Sequence, residues 1–327
     1  MNDDAAPYDG LSPDVILDAL ESVGLRGDGR LLPLGSYENR VYQAWLEEGE
    51  PVVAKFYRPE RWTDAQIDEE HAFVAALVEH EVPAVAPMRF GDRTLNTFAG
   101  FRFSVYPRCG GRAAELDRRE TLVRMGLYIA RIHAVGAVER FGVRPTITVE
   151  DFGIASREYL LAHDFLPRDL RDVWAGVADH ALLATRRLFD STRDMRVLRL
   201  HGDCHGGNVL WTDDGPHFVD FDDARMGPAI QDLWMLLSGD RIEMEAQLAV
   251  LLEGYETFRE FDRRELVLIE ALRTLRLIHY CAWIARRWND PAFPAAFPWF
   301  NTQRYWQDRI LELREQIAAM AEPPLTA

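Results

Sequence analysis

Apolar and polar positions change rhythm once along this chain, from near alternation in the first hundred residues to a three-to-four-residue helical period afterwards. In the first part, residues 31–36, 41–46 and 52–57 read as three strands, and the Glu-Gly-Glu-Pro run ending at Pro51 turns the chain between the last two. Residues 87–90 and 101–106 complete an antiparallel sheet. Two helices interrupt it. Ser12-Pro13-Asp14 caps a short one that ends at Gly24, and Thr63-Asp64-Ala65-Gln66 is a capping box that opens a longer one. On the longer helix Glu70, Phe73, Val74 and Leu77 share one face. Residues 107–111, Pro-Arg-Cys-Gly-Gly, lack any period and form the best linker. Beyond it Leu122, Met125, Ile129 and Ile132 mark a helix ending at Gly136, and residues 170–188 mark another. Further helices open at Gly227, Met244, Glu265 and Thr302. The order predicts an α+β, two-lobed fold. It comprises a small antiparallel-sheet lobe over 1–106, a hinge at 107–111 and a larger, mainly helical lobe over 112–327.

One stretch, 198–224, breaks both rhythms and carries the chemistry. His201, Asp203 and Asn208 stand as H-x-D, four residues, N, the spacing of a kinase catalytic loop. Two short strands follow, turned by Asp213-Asp214-Gly215, and the second runs through Phe218-Val219 to Asp220. Such a hairpin sets Asn208 beside Asp220. Phosphoryl transfer asks mostly for positioning and charge neutralisation. A hard Mg²⁺ ion takes oxygen donors, which the Asn208 amide and the Asp220 carboxylate supply. Asp203 is the separate carboxylate that can take the proton of an incoming hydroxyl. His201 braces the loop. Zinc is the rival for His201 and His205, but Gly206 and Gly207 argue against one helical face, and no H-E-x-x-H or C-x-x-C pattern is present.

Other residues fall into place around that centre. Val52-Val53-Ala54-Lys55 is a strand with a lysine placed to reach ATP phosphates, and a carboxylate on the capped helix, Glu70 or alternatively Glu69, is expected to pair with it. The loop from Gly35 to Arg40 sits where a phosphate-covering loop belongs but has one glycine; Ser36 can add a hydroxyl. A nucleotide base is expected against backbone at 105–109. Asp232, alone among Leu, Trp and Met, needs buried donors and is expected to support the catalytic loop. The Pro- and aromatic-rich run 288–300 is expected to pack the large lobe.

Composition narrows the partners. The formal net charge of −16 over 327 residues argues against a nucleic-acid surface and favours a cationic small molecule or a basic peptide. Three scattered cysteines, 109, 204 and 281, suggest a reducing cytoplasm. The acidic N-terminus lacks the apolar core of a signal peptide, and no run is long enough to span a membrane.

The motif H-G-D-x-H-x-x-N at 201–208, with Val219-Asp220-Phe221-Asp222, resembles the aminoglycoside phosphotransferase and choline kinase-like branch of the protein kinase-like superfamily. Asp222 stands where eukaryotic D-F-G has glycine. The chain is still more similar to the bacterial stress response kinase A family, through segments 36–42, 55–62, 198–208, 219–237, 290–294 and 297–299. That resemblance implies a monomeric cytoplasmic serine/threonine protein kinase with an aminoglycoside-kinase fold, autophosphorylation, and a role in envelope or oxidative stress. It makes Asp203 the proton acceptor and Asp220 a catalytic residue, gives Mg²⁺ to Asn208 and Asp220, and puts Ser36 at the ATP site. The motifs alone serve a small-molecule hydroxyl kinase acting on an aminoglycoside, choline or homoserine equally well. A non-catalytic nucleotide-binding module is the third reading, and the intact Lys55, Asp203, Asn208 and Asp220 count against it.

Overall fold

The computed structural model describes residues 6–327; residues 1–5, the start of the acidic N-terminus, lie outside the described residues. Helix α1 (Pro13–Ser22) begins where Ser12 accepts the Val15 N–H, with proline in its first turn, and buries Ile16, Ala19 and Leu20 against the sheet. Strands β1 (Gly27–Leu34), β2 (Arg40–Leu46) and β3 (Val52–Phe56) pair antiparallel in sequence. Helix α2 (Asp64–Glu79) opens on the expected capping box of Thr63 and Gln66. Strands β4 (Asn96–Phe98) and β5 (Phe101–Pro107) finish a five-stranded sheet of order β1-β2-β3-β5-β4.

The outer strand is not where the sequence pattern put it. Residues 87–90 run alongside the sheet but join no ladder of it. Met88 N–H bonds once to the Val105 carbonyl at 2.7 Å, and Phe90 turns back to Arg93. Pro87 has no N–H to give, and the Gly91-Asp92 turn ends the run.

After the sheet come β6 (Arg112–Ala113) and α3 (Arg119–Gly136). A wide helical turn at Glu150–Ile154 leads into α4 (Ala155–Ala162), which the sequence pattern did not reveal, and α5 (Arg168–Ser191) follows. Strand β7 (Leu198–Leu200) precedes the hairpin β8 (Val209–Thr212) and β9 (Gly215–Phe218), and β10 (Arg225–Gly227) pairs back onto β7. The helix expected at Gly227 is only the short α6 (Ile230–Trp234), because Gly227 itself is spent in β10. Helix α7 (Arg241–Glu256) starts three residues before Met244, at a capping box of Asp240 and Glu243. A 3₁₀ turn at Arg263–Leu268 leads into α8 (Ile269–Arg286), and α9 (Ala292–Ala296) and α10 (Gln303–Ala319) end the fold.

Helices α3 and α7 touch backbone to backbone. A Cβ on Gly126 would stand 1.9 Å from the Leu251 carbonyl oxygen, and one on Gly254 would stand 1.9 Å from that of Val123, so neither position takes a side chain. Helix α2 belongs to both lobes. Its Phe73, Val74 and Leu77 sit in the large-lobe core, where Phe73 meets Phe141 and Phe221 edge-on. The small sheet and α1 keep a separate core around Phe56 and Phe103.

Candidate active site

The loop from His201 to Asn208 joins β7 to β8, and buried hydrogen bonds fix its shape. Asp232 on α6 is fully buried, and its carboxylate accepts the backbone N–H groups of His201 and Gly202, each at 2.9 Å, and His133 Nε2 at 3.1 Å. These are the donors that a lone carboxylate among apolar residues requires. Gly202 is left-handed, and a Cβ there would lie 2.1 Å from the Asp223 carbonyl, so the loop is pressed against the 220–224 segment. His201 Nε2 donates to the Val219 carbonyl at 3.0 Å, tying the same two segments from the other side. His205 accepts the Gly207 N–H at Nδ1, so the proton is on Nε2, 3.4 Å from Asp203 Oδ2. Both rings spend their nitrogens inside the protein, and His201 and His205 do not converge on a shared metal position.

Asp203 projects from this loop into the cleft. Its Oδ1 accepts from Arg276 Nη1 of α8 at 2.7 Å, and Asn208 Nδ2 donates to its backbone carbonyl at 3.0 Å. Burial works against its ionised form, but the His205 hydrogen bond and the Arg276 charge hold its pKa below the ordinary carboxylate value. Cys204 beside it is fully buried, and burial pushes its thiol well up, so it packs rather than reacts.

The hairpin brings Asn208 and Asp220 together as expected: Val219 N–H bonds to the Asn208 carbonyl at 3.0 Å, directly before Asp220. Asp220 adopts φ +59°, a left-handed turn that ends the strand. Its side chain is 48% exposed and meets Lys55 Nζ of β3 at 2.9 Å. The other wing of Lys55 faces Asp222 at 3.2 Å, and Asp222 also binds Arg61. Burial pulls the lysine down, yet the Asp220 and Asp222 carboxylates overcome that and hold its ammonium well above the usual value. Burial likewise raises Asp222, but Arg61 and Lys55 win and bring it to about 2.

The expected Lys55–Glu70 ion pair is not formed. Glu70 is buried on α2 as predicted, but its nearest cation is Arg144 Nη2 at 3.9 Å, and its Oε2 makes no hydrogen bond. Burial therefore dominates and lifts its pKa to about 7, with Lys55 and Arg144 offsetting part of the rise. Glu69 is not the lysine's partner either: its carboxylate accepts the backbone N–H groups of Gly142, Val143 and Arg144 at 2.5, 3.0 and 2.9 Å.

The glycine-poor loop between β1 and β2 is held by side chains. Glu38 takes Trp283 Nε1 of α8 at 2.6 Å, Arg287 Nε just past the end of α8 at 2.7 Å, and Arg58 Nε of the small lobe at 3.1 Å. Asp290 binds Arg40 at 3.0 Å and Arg58 at 2.6 Å. These bonds explain part of the 288–300 run. Phe293, Phe297 and Phe300 pack the large-lobe core as expected, while Asp290 reaches across to the small lobe.

Ser36, Asp203, Asn208, Asp220 and Asp222 all line one cleft of about 1030 Å³ between the lobes. Sequence reasoning missed Asp222 and Arg61 as partners at the lysine, and Arg276 as the partner of Asp203. The alternation in Asp220-Phe221-Asp222 is a signal for the first of these; Arg276, 73 residues from Asp203, leaves none. Among the described residues no helix is long and apolar enough to cross a membrane.

Residues 30–269 match the model of the phosphotransferase enzyme family. Stress response kinase A of Escherichia coli strain K12 is 47% identical over 325 residues, 99% of this chain and 98% of that protein. Serine/threonine protein kinase RdoA of Salmonella typhimurium strain LT2 is 45% identical with the same coverage. Among solved structures, amicoumacin kinase hAmiN in complex with AMP-PNP, Ca²⁺ and Ami matches with a TM-score of 0.72. That match covers 96% of this chain and 94% of that one at 20% identity, which is a likeness of fold.

Proposed function

This chain belongs to the phosphotransferase enzyme family and is a kinase, and from that premise we propose that it is an ATP- and Mg²⁺-dependent serine/threonine protein kinase that also phosphorylates itself. One observation carries the reading. Lys55 of the small lobe meets Asp220 of the large lobe at 2.9 Å, in the cleft that Asp203 lines. The full-length likeness to proteins named stress response kinase and serine/threonine protein kinase supports protein as the acceptor and a stress role.

Asp203 receives the acceptor hydroxyl and takes its proton as the oxygen bonds to the γ-phosphorus. The bond from that phosphorus to the bridging oxygen breaks, and its electron pair leaves with ADP. The lowered pKa of Asp203 keeps it ionised for this task at neutral pH. Lys55 neutralises phosphate charge, Ser36 lies at the ATP site, and Glu70 stands behind the lysine without bonding to it. Asn208 and Asp220 suit Mg²⁺. The Asp220 carboxylate is half-exposed to the cleft, and the Asn208 amide nitrogen is turned to the Asp203 carbonyl, leaving its oxygen free of protein donors. When bound there, the ion neutralises charge on the transferred group. His201 and Asp232 hold the loop. We place the lobe boundary at 107–111 and, by the same likeness, the enzyme in the cytoplasm as a monomer.

The test is purified protein with labelled ATP and Mg²⁺, alone, with a mixed-sequence protein, and with a panel of amino alcohols and aminoglycosides. Acid-stable phosphoserine or phosphothreonine is expected, including on the enzyme. Turnover of one amino alcohol with no labelled protein gives the case to the small-molecule reading.

A further inference from the structure

Resting on the protein-kinase reading, we infer that the acceptor side of the cleft selects hydroxyls flanked by acidic residues, through Arg276 and Arg286 of α8. This helix reaches the reaction centre directly, because Arg276 bonds Asp203 at 2.7 Å. Along its whole length, Ile269–Arg286, the exposed residues are Arg276 and Arg286, and both line the cleft. The rest of the helix is buried or half-buried.

Among the described residues neither arginine is bound to a carboxylate outside the reaction centre. Arg276 pairs with Asp203, the group that must turn to the incoming hydroxyl. Among the described residues Arg286 has no carboxylate within 4.0 Å. It donates to the Ala155 carbonyl at 3.3 Å and lies over the Tyr159 ring at 4.9 Å, which leaves its charge available. The single carboxylate of α8, Glu270, is bound to Arg273 at 2.9 Å and does not line the cleft.

An acceptor bearing ammonium groups needs carboxylates where these arginines stand. Those elsewhere in the cleft are engaged: Asp222 by Lys55 and Arg61, Asp223 by Arg61 and Arg225, and Glu38 by Arg58 and Arg287. Among the described residues Glu60 is the cleft carboxylate without a cation within 4.0 Å, and it belongs to the small-lobe loop after β3 rather than to α8. The chain's net charge of −16 points the other way. Charges beyond about 8 Å are screened at physiological salt, however, so the local wall decides what docks.

The two arginines also set a spacing. Ten residues of helix separate them by about 15 Å along the axis, the span of about four to five residues of extended peptide. An acidic residue next to the phosphorylated Ser or Thr meets Arg276, and a second one four or five positions away meets Arg286.

The experiment uses peptides with one serine, carrying Asp/Glu, Ala or Lys/Arg at the adjacent and the fifth and sixth positions on either side. The wild-type enzyme, R286A and R286E are compared by kcat/KM. The acidic peptide should exceed the basic one by about tenfold or more for wild type, mainly through KM. R286A should shrink that ratio and R286E should reverse it. Because the ratio is taken within each enzyme preparation, loss of folded protein cancels. Equal use of the peptides, a basic preference, or a ratio unchanged in R286E overturns the inference, while phosphoserine on any peptide leaves the protein-kinase reading standing. No labelled peptide alongside turnover of an amino alcohol overturns both.

Discussion

The two walls of the cleft use charge in opposite ways. On the nucleotide side Lys55, Asp222 and Glu70 are buried and Arg61 is half-buried, and Asp222 binds both Lys55 and Arg61 while Glu70 binds neither. On the acceptor side Asp203, Arg276 and His205 meet at partly exposed atoms, and among the described residues Arg286 meets no carboxylate. A buried ion cluster adds little net stability because desolvation cancels its attraction, yet removing one member is costly. It therefore works as a rigid frame. Exposed pairs contribute up to about 1 kcal/mol and exchange readily. They are the ones a substrate can replace.

Two substitutions press hardest on this contrast, one on each wall. Asp220→Ala removes the half-exposed carboxylate beside Lys55, and phosphoryl transfer should fall by at least about 10³-fold. Circular dichroism should stay unchanged, because Asp222 still holds the lysine. Chelation with EDTA should match that loss in the wild type; transfer undiminished by EDTA overturns the metal assignment. Asp203→Asn keeps the shape and removes the proton acceptor. It should lower kcat by about 10²- to 10³-fold with ATP affinity little altered. A matching loss in ATP binding would place Asp203 on the nucleotide wall and erase the contrast.

The reading of the sequence was good where chemistry is local and poor where it is long-range. The His201–Asn208 spacing, the 208–220 hairpin and the Thr63 capping box are set by residues a few positions apart, and they formed as expected. Asp232 was legible because a lone buried carboxylate has to find donors. The outer strand was misplaced because an apolar run such as 87–90 fits a strand or a buried coil equally well. The frame around Lys55 was half legible: Asp222 lies inside the motif, but Arg61 and Arg144 are ordinary surface-type residues until the fold buries them. The acceptor wall was opaque. Arg276 meets Asp203 only because α8 returns to the catalytic loop, and the overall acidity of the chain concealed a cationic helix.

Asp222→Ala tests the frame itself. It leaves the Lys55 ammonium and the Arg61 guanidinium in a buried site with fewer partners, and unfolding free energy should drop by about 3–5 kcal/mol. Urea denaturation of this variant and of Arg286→Ala measures the contrast directly. The acceptor-wall change should cost less than about 1 kcal/mol, since Arg286 is exposed and pairs with no carboxylate among the described residues. Equal losses in the two variants would mean that both walls are structural.

The smallest expected effect asks whether Glu70 belongs to the frame as an ion or as an acid. Its pKa is raised to about 7 by burial, with Lys55 and Arg144 acting the other way. A carboxyl group raised in the folded state binds more protons there than in the unfolded chain, so its contribution to stability is fully present below about 4.5. It is lost as pH rises through about 7. Glu70→Gln removes that titration. The variant should therefore gain on the wild type between pH 5 and pH 8, by up to about 3 kcal/mol. Glu265, raised to about 7 by its own burial, and His71, lowered to about 3, titrate in both proteins, so only the difference between the two curves is informative. Urea unfolding at the two pH values gives that difference. The opposite sign, with Glu70→Gln falling behind at pH 8, would mean that Glu70 is ionised and paired with Lys55 in solution. The nucleotide wall would then hold one more ion pair than the geometry here contains.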